Sequence, residues 1–297
     1  MKGSILNHTV ISGAITLGVM GIVILAFHLL RLRSTKKNSC ALPEWNSRCT
    51  PGESHLAQIK DLGSEIRLCS LALVVSPVLI FTAHISSSFL GQQPESWERI
   101  AISSAGALVL LVFFIRKLVD FLRRRRLVRL AYEGKVVAGQ ALNLLLKDGY
   151  QVFHDFPADN SIIDHLAVGR TGVMAVKTKT WYRNRSHDRD GEAVVRYDGR
   201  MLHFPKFSDF ETIDQAMAQA DWLSQWLSDK VGEDICARAM VVVPGWSVKR
   251  TSADGIPVVN PKQFETLFRY IKPRPMSEGL MQRIVGVIAG RVQDRSV

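Results

Sequence analysis

The chain has 297 residues, 47% of them hydrophobic, and a formal net charge of +11. This length leaves room for more than one domain, and the sequence holds no internal repeat or low-complexity segment, which excludes a repeat architecture. The charge is uneven, since residues 1–127 carry 15 Lys and Arg against 7 Asp and Glu, whereas residues 128–297 carry 23 against 20. The basic balance therefore belongs mostly to the first part and is weak evidence for nucleic acid binding by the second.

Three apolar stretches, at about 9–30, 68–90 and 100–119, are each long enough to cross a bilayer core of about 30 Å. None shows a polar stripe at helical spacing, so three spanning helices are predicted within a membrane region at 1–127. Lysine and arginine collect after the first and third stretches. The positive-inside rule then predicts that the loop 31–67 and the domain 128–297 lie on the cytoplasmic side of a bacterial inner membrane.

The third stretch continues into a basic juxtamembrane run at 116–129, which includes Arg123 to Arg126. Such a run is typical of adsorption to anionic lipid headgroups. A contact with nucleic acid is the alternative reading of the same charges.

The sequence pattern of residues 128–297 predicts an alternation of helices and short strands. Helices are expected at 129–147, 211–228 and 276–291, where apolar residues recur at helical spacing. Strands are expected at 150–156, 162–168, 172–180, 192–197, 200–204, 238–243 and 257–259. This order suits an α/β fold with a mixed sheet and helices on its faces.

The candidate catalytic residues lie mostly at 160–181, which reads NSIIDHLAVGRTGVMAVKTKTW. Two predicted strands meet there at a Gly-Arg-Thr-Gly turn. The first carries Asp164, and the second ends in Lys177 and Lys179. Because side chains alternate along a strand, the two lysines should point the same way, about 7 Å apart. An acid beside such a pair is the outline of a metal-dependent phosphodiesterase site.

From about 136 to 264 the chain resembles the nuclease-related (NERD) domain family, a branch of the restriction-endonuclease-like PD-(D/E)xK fold. The resemblance rests on the blocks VVAGQALNLLL, GYQVFHDFPADNSIIDH, GRTGVMAVKTKTW, TIDQAMAQADWL and VVVPGW. It implies that Asp164 is a catalytic metal ligand, that Lys179 is the catalytic phosphate-facing cation, and that Gln215 is a supporting polar group. Mg²⁺ or Mn²⁺ would be the cofactor of an active site of this kind.

Two positions depart from the family's pattern, which has Gly-Glu in the first helix and Glu-x-Lys at the end of the second strand of the site. This chain has Gly139-Gln140 and Lys177-Thr178-Lys179 instead. Gln140, Asp164, Lys177 and Lys179 sum to a charge of +1, where the family's residues would sum to −2. Because like charges within several ångströms repel a divalent ion, tight metal binding is not expected, and neither is a small-molecule cofactor.

Three functions follow from this reading. The first is a membrane-anchored protein that binds nucleic acid or another polyanion through a degenerate nuclease site, with Lys177 and Lys179 on the phosphates. The second is an active DNA endonuclease in which Asp155 or Asp159 supplies a relocated carboxylate beside Asp164. The third is a membrane-bound interaction module with no nucleic acid partner.

Blander interpretations stand beside these. Lys177 can be a solvated residue, with Asp164 neutralised by one of the two lysines. His154 and His165 are expected to be strand residues rather than ligands, with His165 facing away from Asp164 if the strand is regular. The tryptophans are expected to be packing residues, because no alternation of basic and aromatic residues is present in the sequence.

Overall fold

The computed structural model describes residues 51–90, 97–159, 161–170, 172–181, 193–264 and 276–293. It divides the chain into two compact units. In the described residues, the first unit holds 59–90 and 97–126. The second holds 51–58 and everything described from 127 onward, so a short segment from the first half of the chain belongs to the same unit as the carboxy-terminal part.

Two long helices supply the first unit, α1 at Glu53–Leu90 and α2 at Trp97–Asn143. Within this unit, Cys69 on α1 donates its Sγ hydrogen to the carbonyl of Phe114 on α2. Over Glu53–Thr82, α1 is long and apolar enough to cross a membrane, judged by length and composition, and it is the one helix of the described residues that meets this measure. Three spanning helices are therefore not shown, and the predicted span at 9–30 lies outside the described residues.

The second unit is built on a five-stranded mixed sheet. Its strands are β1 at Gln151–Pro157, β2 at Ile162–Gly169, β3 at Gly172–Thr178, β7 at Ala237–Val242 and β9 at Val258–Val259, in the spatial order β1-β2-β3-β7-β9. The first three strands are antiparallel. The pairings of β3 with β7 and of β7 with β9 are parallel.

A smaller sheet holds four short strands in the order β6-β5-β4-β8. They are β4 at Val194–Tyr197, β5 at Leu202–His203, β6 at Ser208–Asp209 and β8 at Ser247–Arg250. β4 and β5 flank the predicted turn at Asp198-Gly199, where Gly199 has a φ of 99°. The sequence patterns do not predict β8 or the separation of these strands into a second sheet.

Helices cover both faces of the larger sheet, as predicted for an α/β fold. On one face the end of α2 buries Ala138 and Leu142, and the 3-10 turn at Leu144–Asp148 adds Leu145 against Met174 and Met240. On the other face lie α3 at Glu211–Val231 and α4 at Glu278–Gln293, whose apolar sides join the same core as the smaller sheet. The carboxy-terminal part of α2 therefore fixes which side chains approach the sheet from the first face.

Candidate functional site

The first two strands of the larger sheet, β1 and β2, break their alternation where two acidic residues lie side by side. Phe153 and Phe156 on β1 belong to the same core, although they are three positions apart and strict alternation would separate them. The break falls at Asp155, whose φ of 49° is in the left-handed region that non-glycine residues seldom adopt. Ile163 and Leu166 on β2 share that core in the same way.

This break places two carboxylates opposite each other. The register pairs His154 with His165 and Phe156 with Ile163, so Asp155 lies across from Asp164. Like charges directly opposite in a sheet destabilise it. Both carboxylates are buried, which makes an uncompensated pair more costly still.

A lysine from α2 compensates both charges. The ammonium of Lys135 lies 2.9 Å from Oδ1 of Asp155 and 2.9 Å from Oδ1 of Asp164. Its side chain is 5% exposed, and each carboxylate is 4% exposed. We call Lys135, Asp155 and Asp164 the buried triad. Its formal charge is −1, and one cation bridges two anions out of contact with solvent.

The pKa shifts of Lys135 and of Asp164 both reflect their ion pairing. Burial alone would lower the pKa of Lys135, but the carboxylates of Asp164 and Asp155 outweigh it and raise that pKa above its ordinary value. Burial alone would raise the pKa of Asp164, but the ammonium groups of Lys135 and Lys177 hold it below the usual range. Lys135 and Asp164 are therefore both ionised at neutral pH.

Further hydrogen bonds fix the two carboxylates. The backbone N–H of Thr178 donates to Oδ2 of Asp164 at 2.8 Å. The hydroxyl of Ser54, at the start of α1, donates to Oδ1 of Asp155 at 3.2 Å. The other oxygen of Asp155, Oδ2, is buried and has no hydrogen-bond partner in the structure, so the triad is not saturated.

Within the second unit, the segment 51–55 packs closely against α2 near the triad. A Cβ placed on Gly139 of α2 would lie 2.7 Å from Cβ of Pro51, and one placed on Gly52 would lie 2.8 Å from the ring of Tyr132. Gly52 also has a φ of 83°, which favours glycine. Together with the Ser54 hydrogen bond, these contacts hold the start of α1 over the carboxylates.

A pair of buried histidines lies next to the triad. Nδ1 of His154 and Nδ1 of His165 are 2.8 Å apart, so one ring donates a hydrogen and the other accepts it. Burial lowers the pKa of His154 to about 4. Burial, followed by the effect of His154, lowers the pKa of His165 to about 3. Because the strands are irregular here, His165 does not face away from the site as a regular strand would require.

Of the two lysines predicted from the sequence, Lys177 lies at the edge of this cluster. The ammonium of Lys177 is 3.9 Å from Oδ2 of Asp164, and its side chain is 18% exposed. Lys179 follows the end of β3, and its ammonium lies 4.9 Å from the ring centroid of Trp181. Asp164 is thus neutralised chiefly by Lys135, which the sequence interpretation did not consider.

The other predicted positions are not brought into the triad. Gln140 is exposed on α2. Gln215 donates to Oε1 of Glu211, one turn earlier on α3. Of the two acids considered as relocated carboxylates, Asp155 reaches Asp164 through Lys135, whereas Asp159 is held by Arg291 and by the indole N–H of Trp222.

The residues present do not fit a divalent metal ion. The position equidistant from Asp155 and Asp164 is filled by the ammonium of Lys135. Among the described residues, no group of three or more His, Cys, Asp or Glu side chains could hold a metal. The lysine thus supplies the positive charge between the two carboxylates.

Lys135 carries a signal in the sequence that could have revealed it. It lies in helical phase with Ala138, Leu142 and Leu145, which form the buried face of the helix end. A lysine on such a face needs an acidic partner, because an isolated buried ammonium is costly. The sequence gives no comparable signal for the partnership of Ser54 with Asp155, since a long stretch of chain separates them.

A known protein family matches the part of the chain that contains the site. Residues 130–244 match the model of a family described as the nuclease-related domain. This range begins in α2 before Lys135 and ends after β7, so it includes the whole triad, Lys177 and Lys179. Neither the curated proteins nor the solved structures give a match to the chain.

Proposed function

With residues 130–244 belonging to the nuclease-related domain family, which confirms the resemblance noted in the sequence, we propose that this protein binds nucleic acid without cleaving it. The proposed binding site is a degenerate nuclease site at which Lys177 and Lys179 contact phosphates. The observation that carries the proposal is the ammonium of Lys135 between Asp155 and Asp164, 2.9 Å from each.

The ammonium of Lys135 takes the place of a metal ion but cannot do the chemistry that cleavage needs. Phosphodiester hydrolysis in such folds uses a metal to polarise the phosphate and to generate hydroxide. An ammonium with a raised pKa does neither, since it holds its proton and has no open coordination position. A divalent ion would have to displace a cation that both carboxylates already bind.

The outer lysines supply the proposed attraction for phosphate. The triad, Lys177 and Lys179 together sum to a formal charge of +1. Lys177 shares Asp164 at 3.9 Å and keeps part of its side chain in solvent, while Lys179 has no carboxylate within ion-pair distance in the described residues. Such cations contact the nucleic acid backbone without reading its sequence.

We further propose that a bacterial inner membrane holds the protein by several spans, with residues 128–297 in the cytoplasm. The apolar length of α1 over Glu53–Thr82 supports this. So do large apolar side chains that face outward, such as Leu68 at 67% exposure and Ile102 at 73%. The exposed cations Arg123 to Arg126 would then lie against anionic headgroups.

The test uses the full chain purified in a zwitterionic detergent, incubated with plasmid DNA and Mn²⁺. We expect salt-dependent retention of DNA and no cleavage. The double variant Lys177→Gln and Lys179→Gln should weaken retention and flatten its salt dependence. A matched control, Lys147→Gln with Lys230→Gln, makes the same change in charge on exposed residues of other elements.

Two outcomes would contradict the proposal. Mn²⁺-dependent cleavage that Asp164→Ala abolishes would identify an active nuclease whose second carboxylate is Asp155. A chain that retains no nucleic acid at low salt would instead identify an interaction module.

A further inference from the structure

The smaller sheet presents a line of polar and basic side chains across its outer face. Arg196 on β4 pairs with His203 on β5 and with Lys249 on β8, and His203 pairs with Ser208 on β6. Directly paired residues place their side chains on the same face of a sheet. Along β4 the burial alternates, so Arg196 lies on the exposed face and its neighbours Val195 and Tyr197 lie in the core.

Two of these cations have no acidic partner among the described residues. Arg129, Arg283 and Arg291 form ion pairs with carboxylates. Arg196 and Lys249 form none in the part of the chain that the structure describes. Asp198, which directly follows β4, is already bound by His203 and by the backbone N–H groups of Arg200 and Met201.

A groove of about 590 Å³ runs along this face. Arg196 and Lys249 line it together with the apolar surfaces of Phe204, Pro205 and Val194. Neighbouring strands are about 4.8 Å apart, so the flexible side chains of Arg196 and Lys249 can each reach one of two successive phosphate groups. The groove therefore combines an apolar floor with unpaired positive charge.

Aromatic rings continue the groove toward the lysines of the degenerate site. Phe204 stacks on Phe207, with ring centroids 4.7 Å apart and an interplanar angle of 18°. Phe207 is 41% exposed, and its centroid lies 4.8 Å from that of Trp181. The ammonium of Lys179 lies over the Trp181 ring. The fold thus assembles the alternation of basic and aromatic residues that the sequence does not show.

From this arrangement we infer that the strip from Lys179 to Lys249 binds a single strand of nucleic acid. Arg196 and Lys249 hold phosphates, and the exposed ring of Phe207 stacks on a base. Duplex DNA offers phosphates but keeps its bases stacked inside, whereas a single strand offers both. The inference rests on the proposed function and names its ligand class.

The experiment measures the affinity of the full chain, in zwitterionic detergent, for a short labelled oligothymidine over a range of salt concentrations. The double variant Arg196→Gln and Lys249→Gln should weaken binding. It should also reduce the slope of log affinity against log salt by about 1.4, at roughly 0.7 for each lost phosphate contact. The control pair Lys147→Gln and Lys230→Gln should leave the slope unchanged.

A second series isolates the ring. Phe207→Leu keeps an apolar side chain against Trp181 and should weaken single-strand binding about ten-fold, because base stacking is lost. Phe207→Trp should retain the affinity. Thermal unfolding of each variant shows whether the domain is intact. If a Phe207 variant loses its fold, the affinity of the Arg196→Gln and Lys249→Gln double variant decides the test.

The outcomes separate this inference from the proposed function. If binding depends on Lys177 and Lys179 but not on Arg196, Lys249 or Phe207, the groove assignment is overturned and the proposed function stands. The groove assignment is also overturned if the chain binds duplex DNA with the same affinity as the oligothymidine and Phe207→Leu does not change that affinity. Binding of the groove to anionic lipid vesicles instead of the oligonucleotide would overturn it as well. A chain that binds no nucleic acid overturns both.

Discussion

Lys135 and Asp164 form an ion pair in which Nζ and Oδ1 are 2.9 Å apart and neither side chain is more than 5% exposed. The same ammonium reaches Asp155 at 2.9 Å. Buried ions are tolerated when they are paired, and one cation here serves two anions. The ion pairing of both buried carboxylates and the poor fit of this site to a metal ion therefore depend on the same residue.

Replacing Lys135 by Met should destabilise the protein by about 3–5 kcal/mol at neutral pH, because two facing carboxylates are then buried without a cation. The measurement is the free energy of unfolding of the full chain by denaturant. Lys147→Met, at an exposed position, should change it by about 0.5 kcal/mol at most.

The deficit of Lys135→Met should shrink as the pH falls. Without the lysine, burial and mutual repulsion raise the carboxyl pKa values in the folded state, so the folded protein takes up protons before the unfolded chain does. A deficit that stays constant from pH 7 to pH 4 would show that the carboxylates are not the cause.

Lys135→Glu should turn the triad into a metal-binding site. Three carboxylates from α2, β1 and β2 would then converge, and the shorter side chain leaves room for an ion bound through oxygen. Mn²⁺ at about one hundred times its dissociation constant should stabilise this variant by about 2.7 kcal/mol. Thermal unfolding with and without Mn²⁺ gives the measurement, and Lys135→Gln is the matched control that should not respond.

The histidine pair should make the protein sensitive to mild acid. The folded-state pKa values of His154 and His165 lie at about 4 and about 3, below the ordinary value of 6.5. Between about pH 6.5 and pH 4 the unfolded chain therefore binds protons that the folded state does not. Stability is intact above this window, and it falls within it by about 1.4 kcal/mol per pH unit for each histidine.

Unfolding measured at several pH values checks this. The double variant His154→Leu and His165→Leu removes both partners together, so it leaves no unpaired ring nitrogen behind. Its stability should vary much less between pH 6.5 and pH 4.5. A wild-type profile that is flat over this window would contradict the neutral pair.

Gly134→Ala should destabilise the protein although alanine is the better helix former. A Cβ on Gly134 would lie 1.9 Å from Oγ1 and 3.0 Å from Cβ of Thr180, so the side chain or the helix must shift. In Gly286→Ala, on the exposed side of α4, the new Cβ meets nothing within 4 Å. That variant should gain up to about 1 kcal/mol. Equal gains in denaturant unfolding would show that α2 does not approach Thr180, just after β3, so closely.

The sequence was most informative where periodicity and turn chemistry are local. The strand at 162–168, the helix at 211–228 and the hairpin at Asp198-Gly199 follow from such patterns, and the structure has each of them. The nuclease-related resemblance also came from linear blocks and is confirmed over residues 130–244. The proposed roles of Asp164, Lys177 and Lys179 stay predictions.

Other features depend on contacts that no local pattern encodes. The left-handed backbone of Asp155 breaks the alternation of β1, and its carboxylate shares the ammonium of Lys135 with Asp164. Gln140, singled out by its place in a motif, is exposed, while Lys135 faces the sheet. Trp181 and Phe207 meet only because β3 ends beside the smaller sheet.

Sequence alone determined most elements of residues 128–297, their order and the nuclease-related domain over 130–244, because side-chain periodicity and turn residues act over a few positions. The tertiary structure decided which charge lies between Asp155 and Asp164, because only the packing of α2 on the sheet brings Lys135 to that point. Burial makes this placement matter, because two carboxylates closed off from solvent need a cation between them.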